Sequence, residues 1–339
     1  MGYIGPVLVR LLKSSIRNCR VIGFDTGFFA PYLSFSDRLP ETYLDAQYFG
    51  DARDITKLME DNIDAVIHLA AISNDPMGKQ FERVTHEINC QASVNLARIC
   101  AQAGVQNFVF ASSCSMYGAA GDIPRKESDL KNPLTAYAIS KQKTEELLKQ
   151  EDLGSMVFTS LRFATACGWS DRVRLDLVLN DFVASALACG EIKILSDGTP
   201  WRPLIDVEDM SLAMLWGIKR NESNGGKFLC VNAGRSESNY QIKDLALEVQ
   251  KVIPTSSVSF NPDAPPDKRS YSVDFSLFKE LAPDHQPRVS LVDSIQRLVD
   301  GFKVYQFNDP QFRDSTFIRL NVLRELIADS RLSSDLRWI

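Results

Sequence analysis

Short apolar runs alternate with stretches of helical periodicity along most of this chain. The first helix is Pro6-Val7-Leu8-Val9-Arg10-Leu11-Leu12, opened by a proline near its first position, where the missing N–H costs nothing. Val21 to Phe24, Ala65 to Leu69, Phe108 to Ala111 and Val157 to Leu161 are rich in β-branched or aromatic residues and have the length of buried strands. Helical patterns near 54 to 60, 89 to 103 and 137 to 150 fall between them. Such alternation predicts an α/β fold with a doubly wound parallel sheet. The pattern breaks at 253 to 272, where Ile253-Pro254-Thr255-Ser256-Ser257 and then Pro262, Pro265 and Pro266 predict a loop within one protein body. Beyond it the tail is helical and partly amphipathic, and no internal repeat or low-complexity segment is visible.

Composition narrows the class. The 339 residues are 45% hydrophobic and 24% charged, enough for one large core or a main core with a smaller lobe. A net charge of −5, with both signs mixed along the chain, argues against a nucleic-acid or anionic-membrane surface. Seven scattered cysteines without a CxxC pair predict reduced thiols and a cytoplasmic protein, and the three histidines form no metal-ligand spacing, so no metal is expected. His68 reads as a satisfied strand-end residue, Phe28, Phe29 and Trp169 as core or pocket wall, and Asn74 and Asp75 as turn formers. No apolar run has the length of a membrane span, and no secretory leader pattern opens the chain.

Candidate chemistry centres on Tyr137 and Lys141, four residues apart and therefore on one helix face. A free phenol titrates near pH 10 and is a poor base at neutrality. An ammonium about 6 Å away, at an effective dielectric of about 20, favours the phenolate by roughly 2 to 3 kcal/mol, and a second cation nearby would bring it closer to working pH. Ser112 and Ser113 end a predicted strand one crossing upstream, so a hydroxyl can join the pair. At the N-terminus, Met1-Gly2-Tyr3-Ile4-Gly5 leads straight into a helix like the second half of a glycine-rich dinucleotide loop, with no strand before it. This predicts a natural protein that begins about ten residues earlier. Asp25 ends the next strand 20 residues after Gly5, where a carboxylate accepts hydrogen bonds from adenosine ribose hydroxyls and repels a 2′-phosphate. NAD is therefore expected over NADP.

Together these residues resemble the extended short-chain dehydrogenase/reductase superfamily, in its NAD-dependent nucleotide-sugar epimerase/dehydratase branch. Gly2-Tyr3-Ile4-Gly5 is similar to the end of the family's TGxxGYIG loop, Gly50-Asp51-Ala52-Arg53-Asp54 to its GDxRD segment, and His68-Leu69-Ala70-Ala71 to its HxAA strand end. The resemblance makes Gly2, Tyr3, Ile4, Gly5, Asp25, Asp51, Ala52, Leu69, Ala70, Ala71 and Asn89 cofactor-binding, together with Tyr137 and Lys141. Phe110-Ala111-Ser112-Ser113-Cys114-Ser115-Met116-Tyr117-Gly118 resembles SSxxxYG, which places the catalytic hydroxyl on Ser113 beside Tyr137 and Lys141 of YxxxK. Leu161 to Gly168 is similar to LRxxNxYG with Thr165 in place of asparagine, and Asp197 to Asp209 to DGxxxRxxxxVxD, with Arg202 as the diphosphate-gripping arginine. Lys268-Arg269-Ser270-Tyr271 is a looser match to a later basic segment, giving Ser113, Thr165, Arg202 and Arg269 as substrate-binding residues. A Rossmann-like domain over residues 1–165, with a returning segment at about 203–233, and a substrate-binding lobe from 166–202 and 234–339 follow from the same resemblance, as does a homodimer paired through helices near 89 to 103 and 137 to 150.

Departures from the family pattern bear on the reaction. Dehydratases of this type carry Asp-Glu after the catalytic Ser/Thr, and decarboxylases a glutamate two residues after it. Here Cys114, read as a packing residue, and Ser115 stand there instead. The expectation is an NAD-dependent nucleotide-sugar epimerase acting through a transient keto sugar, at C4. A nucleotide-sugar ketoreductase or dehydrogenase is the alternative enzyme, and a non-catalytic NAD-binding or oligomerisation protein the alternative of another class.

Overall fold

The computed structural model describes residues 1–32, 36–261 and 269–339. Helix α1 (Gly5–Ser15) runs into β1 (Ile22–Asp25), which pairs in parallel with β2 (Ala46–Phe49). Strand β3 (Ala65–His68) is followed by α2 (Asp75–Gln80), α3 (Glu82–His86), a π-helical turn over Glu87–Ala92, and α4 (Ser93–Gln102). Next come β4 (Asn107–Ser113), β5 (Gly121–Arg125), α5 (Ala136–Leu148), β6 (Val157–Phe163), β7 (Thr165–Cys167) and α6 (Val178–Ala188). The remainder comprises β8 (Glu191–Ile194), β9 (Trp201–Asp206), α7 (Val207–Lys219), β10 (Phe228–Ala233), β11 (Asn239–Gln241), α8 (Ile242–Val252), β12 (Ser257–Phe260), β13 (Tyr271–Val273), α9 (Ser276–Leu281), α10 (Leu291–Val304) and α11 (Arg319–Ala328).

The central sheet is parallel in the order β10-β6-β4-β3. Alternation along its strands sends Phe108, Phe110 and Phe158 to one face and Val109, Leu161 and Val231 to the other, all fully buried. On the first face Phe108 stacks on Phe158 and Phe158 on Phe228, with centroids 5.9 and 4.7 Å apart, in a core closed by Leu96, Ala97 and Leu148 of α4 and α5. On the second, Leu8 and Leu12 of α1 and Ala213, Met214 and Trp216 of α7 close the layer. Each buried phenylalanine contributes about 2 kcal/mol, so the sheet centre is the most strongly held part of the fold. A second core gathers α6, α8 and α10 around Leu179, Val183, Leu245, Leu298 and Phe302. A third packs α11 against Phe28, Ile72, Met77 and Phe81.

Two sequence expectations fail locally. Residues 54–60 form no α-helix: a 3-10 turn over Ala52–Asp54 is fixed by the Asp51 side chain accepting from the Arg53 amide at 2.8 Å, and the Ile55 carbonyl is taken by Asn95 at 3.0 Å. Within 253–272, Ser257–Phe260 forms β12 and pairs with β8, because the unpaired edge of β8 supplies a ladder that local serine and proline content does not predict. Pro262, Pro265, Pro266 and Lys268 lie outside the described residues. Among the described residues, β1 pairs only with β2 and β3 only with β4, and a cleft runs between these two edges. No helix among them is long and apolar enough to cross a membrane.

Candidate active site

Parallel strands deliver their carboxyl ends to one edge, and the loops there line a single cleft of about 1780 Å³. An ordinary ligand pocket is about 300–1,000 Å³. Part of this space is the gap between β1 and β3.

Ser112 and Ser113 divide by strand alternation. Ser112 Oγ donates to Glu145 Oε1 at 2.8 Å inside a buried pair in which Arg162 Nη2 meets Glu145 Oε2 at 2.7 Å. Arg162 also donates to Tyr117 Oη, which donates to Asn232 at 2.7 Å, so the wall behind Ser113 is rigidly tied. Ser113 lines the cleft with Tyr137, and its Oγ accepts from the Ser115 amide at 3.1 Å and donates to Ser115 Oγ at 2.9 Å. Helix α5 begins at Thr135, whose Oγ1 accepts from the Ala138 amide at 3.2 Å, and this start sets Tyr137 and Lys141 on the cleft side. The structure thus brings Ser113, Tyr137 and Lys141 together.

Their electrostatics differ from the sequence expectation. Burial pushes the Tyr137 phenol up to about 12, against the lowering effects of Ser113 and the Arg174 charge. Burial also pushes the Lys141 ammonium down to about 7, with Glu145 opposing. Lys141 Nζ stands 4.6 Å from the Phe110 ring centroid and 5.8 Å from that of Tyr137, so its charge faces aromatic rings rather than solvent. His68 is driven to about 3, first by burial and then by Lys141, and its Nε2 lies 2.8 Å from Ser93 Oγ. It is a neutral strand-end residue.

The cofactor candidates divide into groups that face the cleft and groups that support it. Gly2 to Gly5 line the cleft at the start of α1; this N-terminus has no side-chain cap, and a Cβ built on Gly2 would meet nothing within 4 Å. Its backbone N–H groups are open to an anion. The Tyr3 hydroxyl turns away and donates to the Gly168 carbonyl at 2.7 Å, tying the start of α1 to the segment after β7. Asp25 Oδ1 accepts from the Gly27 amide at 2.7 Å and Oδ2 accepts from the Met1 α-ammonium. A carboxylate has about four acceptor sites, so ribose hydroxyls can still be accommodated. Asp51 is taken up by Arg53, at 2.6 Å from Nη2, which leaves Asp51 and Ala52 to offer backbone to the cleft. Leu69, Ala70 and Ala71 line it directly. These features fit a dinucleotide.

Asn89 requires a correction. It is fully buried and absent from the cleft wall; its side chain accepts from the Ile72 amide at 2.8 Å and donates to the Ile72 carbonyl at 2.9 Å and Ser140 Oγ at 3.1 Å. It supports the Leu69 to Ala71 loop from behind rather than touching a ligand.

At the other end, Thr165, Arg202, Arg269 and Tyr271 line the cleft. The Arg202 guanidinium lies 5.5 Å from the Tyr271 ring centroid and donates to the Trp201 carbonyl at 2.8 Å, and Arg269 Nη1 meets Asp75 Oδ2 at 2.7 Å. Burial pushes the Tyr271 phenol up to about 12, with the Arg202 charge and Thr165 opposing. Sequence reasoning missed Arg174 and Asp176. Arg174 is buried, pairs with Asp176 at 2.8 Å and donates to Ser73 Oγ at 2.9 Å, while Asn74, the α2 cap, donates to Asp176. No local spacing marks them, because Ser73, Asn74 and the Arg174 segment meet only in the fold.

Comparisons with known proteins bear on the family and the fold. The model of the NAD dependent epimerase/dehydratase family matches residues 1–234. A UDP-glucose 4-epimerase of Lactobacillus helveticus is 26% identical over 222 residues, 60% of this chain and 67% of that protein. Among solved structures, MoeE5 in complex with UDP-glucuronic acid and NAD aligns with a TM-score of 0.75 at 24% identity, covering 90% of this chain and 97% of its own. TunA, an NAD-dependent NDP-hexosamine 5,6-dehydratase of tunicamycin biosynthesis, aligns with a TM-score of 0.75 at 20% identity, covering 91% and 96%.

Proposed function

Because the chain belongs to the NAD dependent epimerase/dehydratase family, we propose that it is a nucleotide-sugar epimerase working through a transient keto sugar, with C4 as the carbon inverted. The observation that carries this reading is the set Ser113, Tyr137 and Lys141 on one cleft wall, with Cys114 and Ser115 in the two positions after Ser113. Cys114 stands where an elimination would need an acid; it is buried, its Sγ donates to the Arg162 carbonyl at 3.0 Å, and burial holds its thiol well above the ordinary range. Ser115 accepts from Ser113 Oγ at 2.9 Å and has no charge to offer.

Gly2 to Gly5, Asp25, Asp51, Ala52 and Leu69 to Ala71 would hold NAD, which when bound accepts and returns a hydride at the sugar carbon. Tyr137 takes the proton of the reacting sugar hydroxyl and later gives it back, while Ser113 hydrogen-bonds the same oxygen. A phenol held near 12 is no base at neutral pH, so it works only when a cation stands beside it, and the Lys141 ammonium, half protonated near 7, is the chain's own contribution. Arg202 and Arg269 grip the nucleotide diphosphate, a role that suits a planar, permanently charged guanidinium. Thr165 and Tyr271 contact the sugar. Presenting the opposite face of the keto sugar for reduction inverts the centre.

The test is incubation with UDP-, GDP-, CDP- and dTDP-sugars without added NAD, with products read by NMR. A C4 epimer formed with no net NADH supports the proposal. Conversion only with stoichiometric NAD(H) replaces it with a dehydrogenase or reductase, and no conversion of any sugar removes it.

A further inference from the structure

The chain beyond α11 crosses the segments after β1 and β2, whose Asp25 and Asp51 are proposed to hold NAD on its adenosine side, and nothing in the epimerase reading uses it. Helix α11 lays Leu320, Leu323 and Leu326 against Phe28, Ile72 and Met77, and Leu332 and Leu336 continue the same core. Around and beyond these anchors the arm makes polar contacts in both directions. Toward the loop after β1, Trp338 Nε1 donates to the Thr26 carbonyl at 2.6 Å, one residue from Asp25, and its ring lies 5.6 Å from that of Phe28. Toward the segment after β2, Arg53 donates to the carbonyls of Asp335 at 2.8 Å and Leu336 at 3.1 Å, and Arg337 meets Asp54 Oδ2 at 2.7 Å. Arg53 is the residue that takes up the Asp51 carboxylate. The arm lies outside the family match, which ends at residue 234.

We propose that residues 329–339 form a clasp over the adenosine end of the cleft that sets how fast NAD leaves. Asp25 to Phe28 and Asp51 to Asp54 come from consecutive strands of a two-stranded sheet that has no other sheet partner among the described residues. Adenosine leaves when these two segments part, and the arm is bonded to both. A cofactor that must be returned to its starting oxidation state within one turnover gains from such a clasp, since loss of NADH midway would strand a keto sugar. The inference rests on the NAD placement but not on the identity of the sugar.

The discriminating variant is Arg337→Ala with Trp338→Ala. Both side chains are about half-exposed and both buried leucines of the arm, Leu332 and Leu336, remain. Protein loaded with NAD is mixed with excess alcohol dehydrogenase and ethanol, so that each NAD released appears as NADH absorbance. Release about tenfold faster than from wild type is expected, the effect of losing one or two hydrogen bonds. The calorimetric affinity for UDP should not change, and Arg337→Lys with Trp338 intact should restore most of the slow rate. Arg202→Ala should do the reverse, weakening UDP without hastening NAD. Release rates within twofold of wild type overturn the clasp, and so does an equal loss of UDP affinity, which would mean general loosening. Wild-type protein that retains no NAD overturns the clasp and the cofactor placement together. A working clasp on a protein that converts no nucleotide sugar overturns only the epimerase reading.

Discussion

Two opposing pKa displacements in contact dominate the residue scale. Tyr137 is raised to about 12 and Lys141 lowered to about 7, both chiefly by burial. Tyr137→Phe removes the proton-transfer group and should lower turnover by about 10² to 10⁴, with the thermal midpoint moved only slightly, as read by NMR assay and calorimetry. Ser113→Ala, which costs one hydrogen bond to the reacting oxygen, should lose about tenfold. Lys141 also leaves a signature without any substrate. An unfolded chain keeps a lysine protonated up to its ordinary value of about 10.4, whereas the folded protein gives up this proton near 7. The unfolded state therefore binds more protons between those limits, and stability should rise with pH across the window, by no more than about 5 kcal/mol. Comparing urea midpoints of wild type and Lys141→Met from pH 6.5 to 10 isolates the effect. Parallel curves would mean that the ammonium is already stabilised in the fold.

Elements show where the sequence could be read and where it could not. The helix of Tyr137 and Lys141 was legible because its pair, its strand-end serines and the Asp25 spacing are short-range patterns carried by single elements. The 54–60 helix and the 253–272 loop were misread because their outcome depends on distant partners, Asn95 in one case and β8 in the other. Arg174 and Asp176 were invisible for the same reason. Asn89 was legible as a residue of the cofactor wall but not as one that holds it from behind: its place in the π-helical turn aims it inward, where it bridges the loop after β3 and α5. Asn89→Ala would leave the Ile72 N–H and C=O without their partner in a buried site, at a cost of about 2 to 4 kcal/mol. The loop it holds carries Leu69 to Ala71, so NAD affinity should fall along with the urea midpoint. Loss of stability with unchanged NAD affinity would detach Asn89 from the cofactor wall.

At the scale of the whole molecule, the strands that flank the cleft fall into two hydrogen-bonded groups, β1 with β2 and β3 with β4, β6 and β10. β4 and β6 have sheet partners on both sides and sit between two packed layers, whereas among the described residues β1 pairs with β2 alone and its four residues are all half-buried. Opening free energies follow such differences in burial and pairing. Amide hydrogen exchange should therefore be slow in Phe108 to Phe110 and Phe158 to Leu161, and faster in Ile22 to Asp25 and in Ala65 to His68. The groups that fit NAD come from both sides of this division: Asp25 and Asp51 from the β1–β2 side, Leu69 to Ala71 from the β3 side. A ligand spanning them binds only when both are in register, so saturation with NAD at about 100 times its dissociation constant should stabilise the native state by about 2.7 kcal/mol. The slowing should be greatest in β1 and β3 and least in β4 and β6, whose exchange is already limited by global unfolding. Uniform slowing, or slowing confined to one side of the cleft, would mean that NAD does not bridge the two groups of strands.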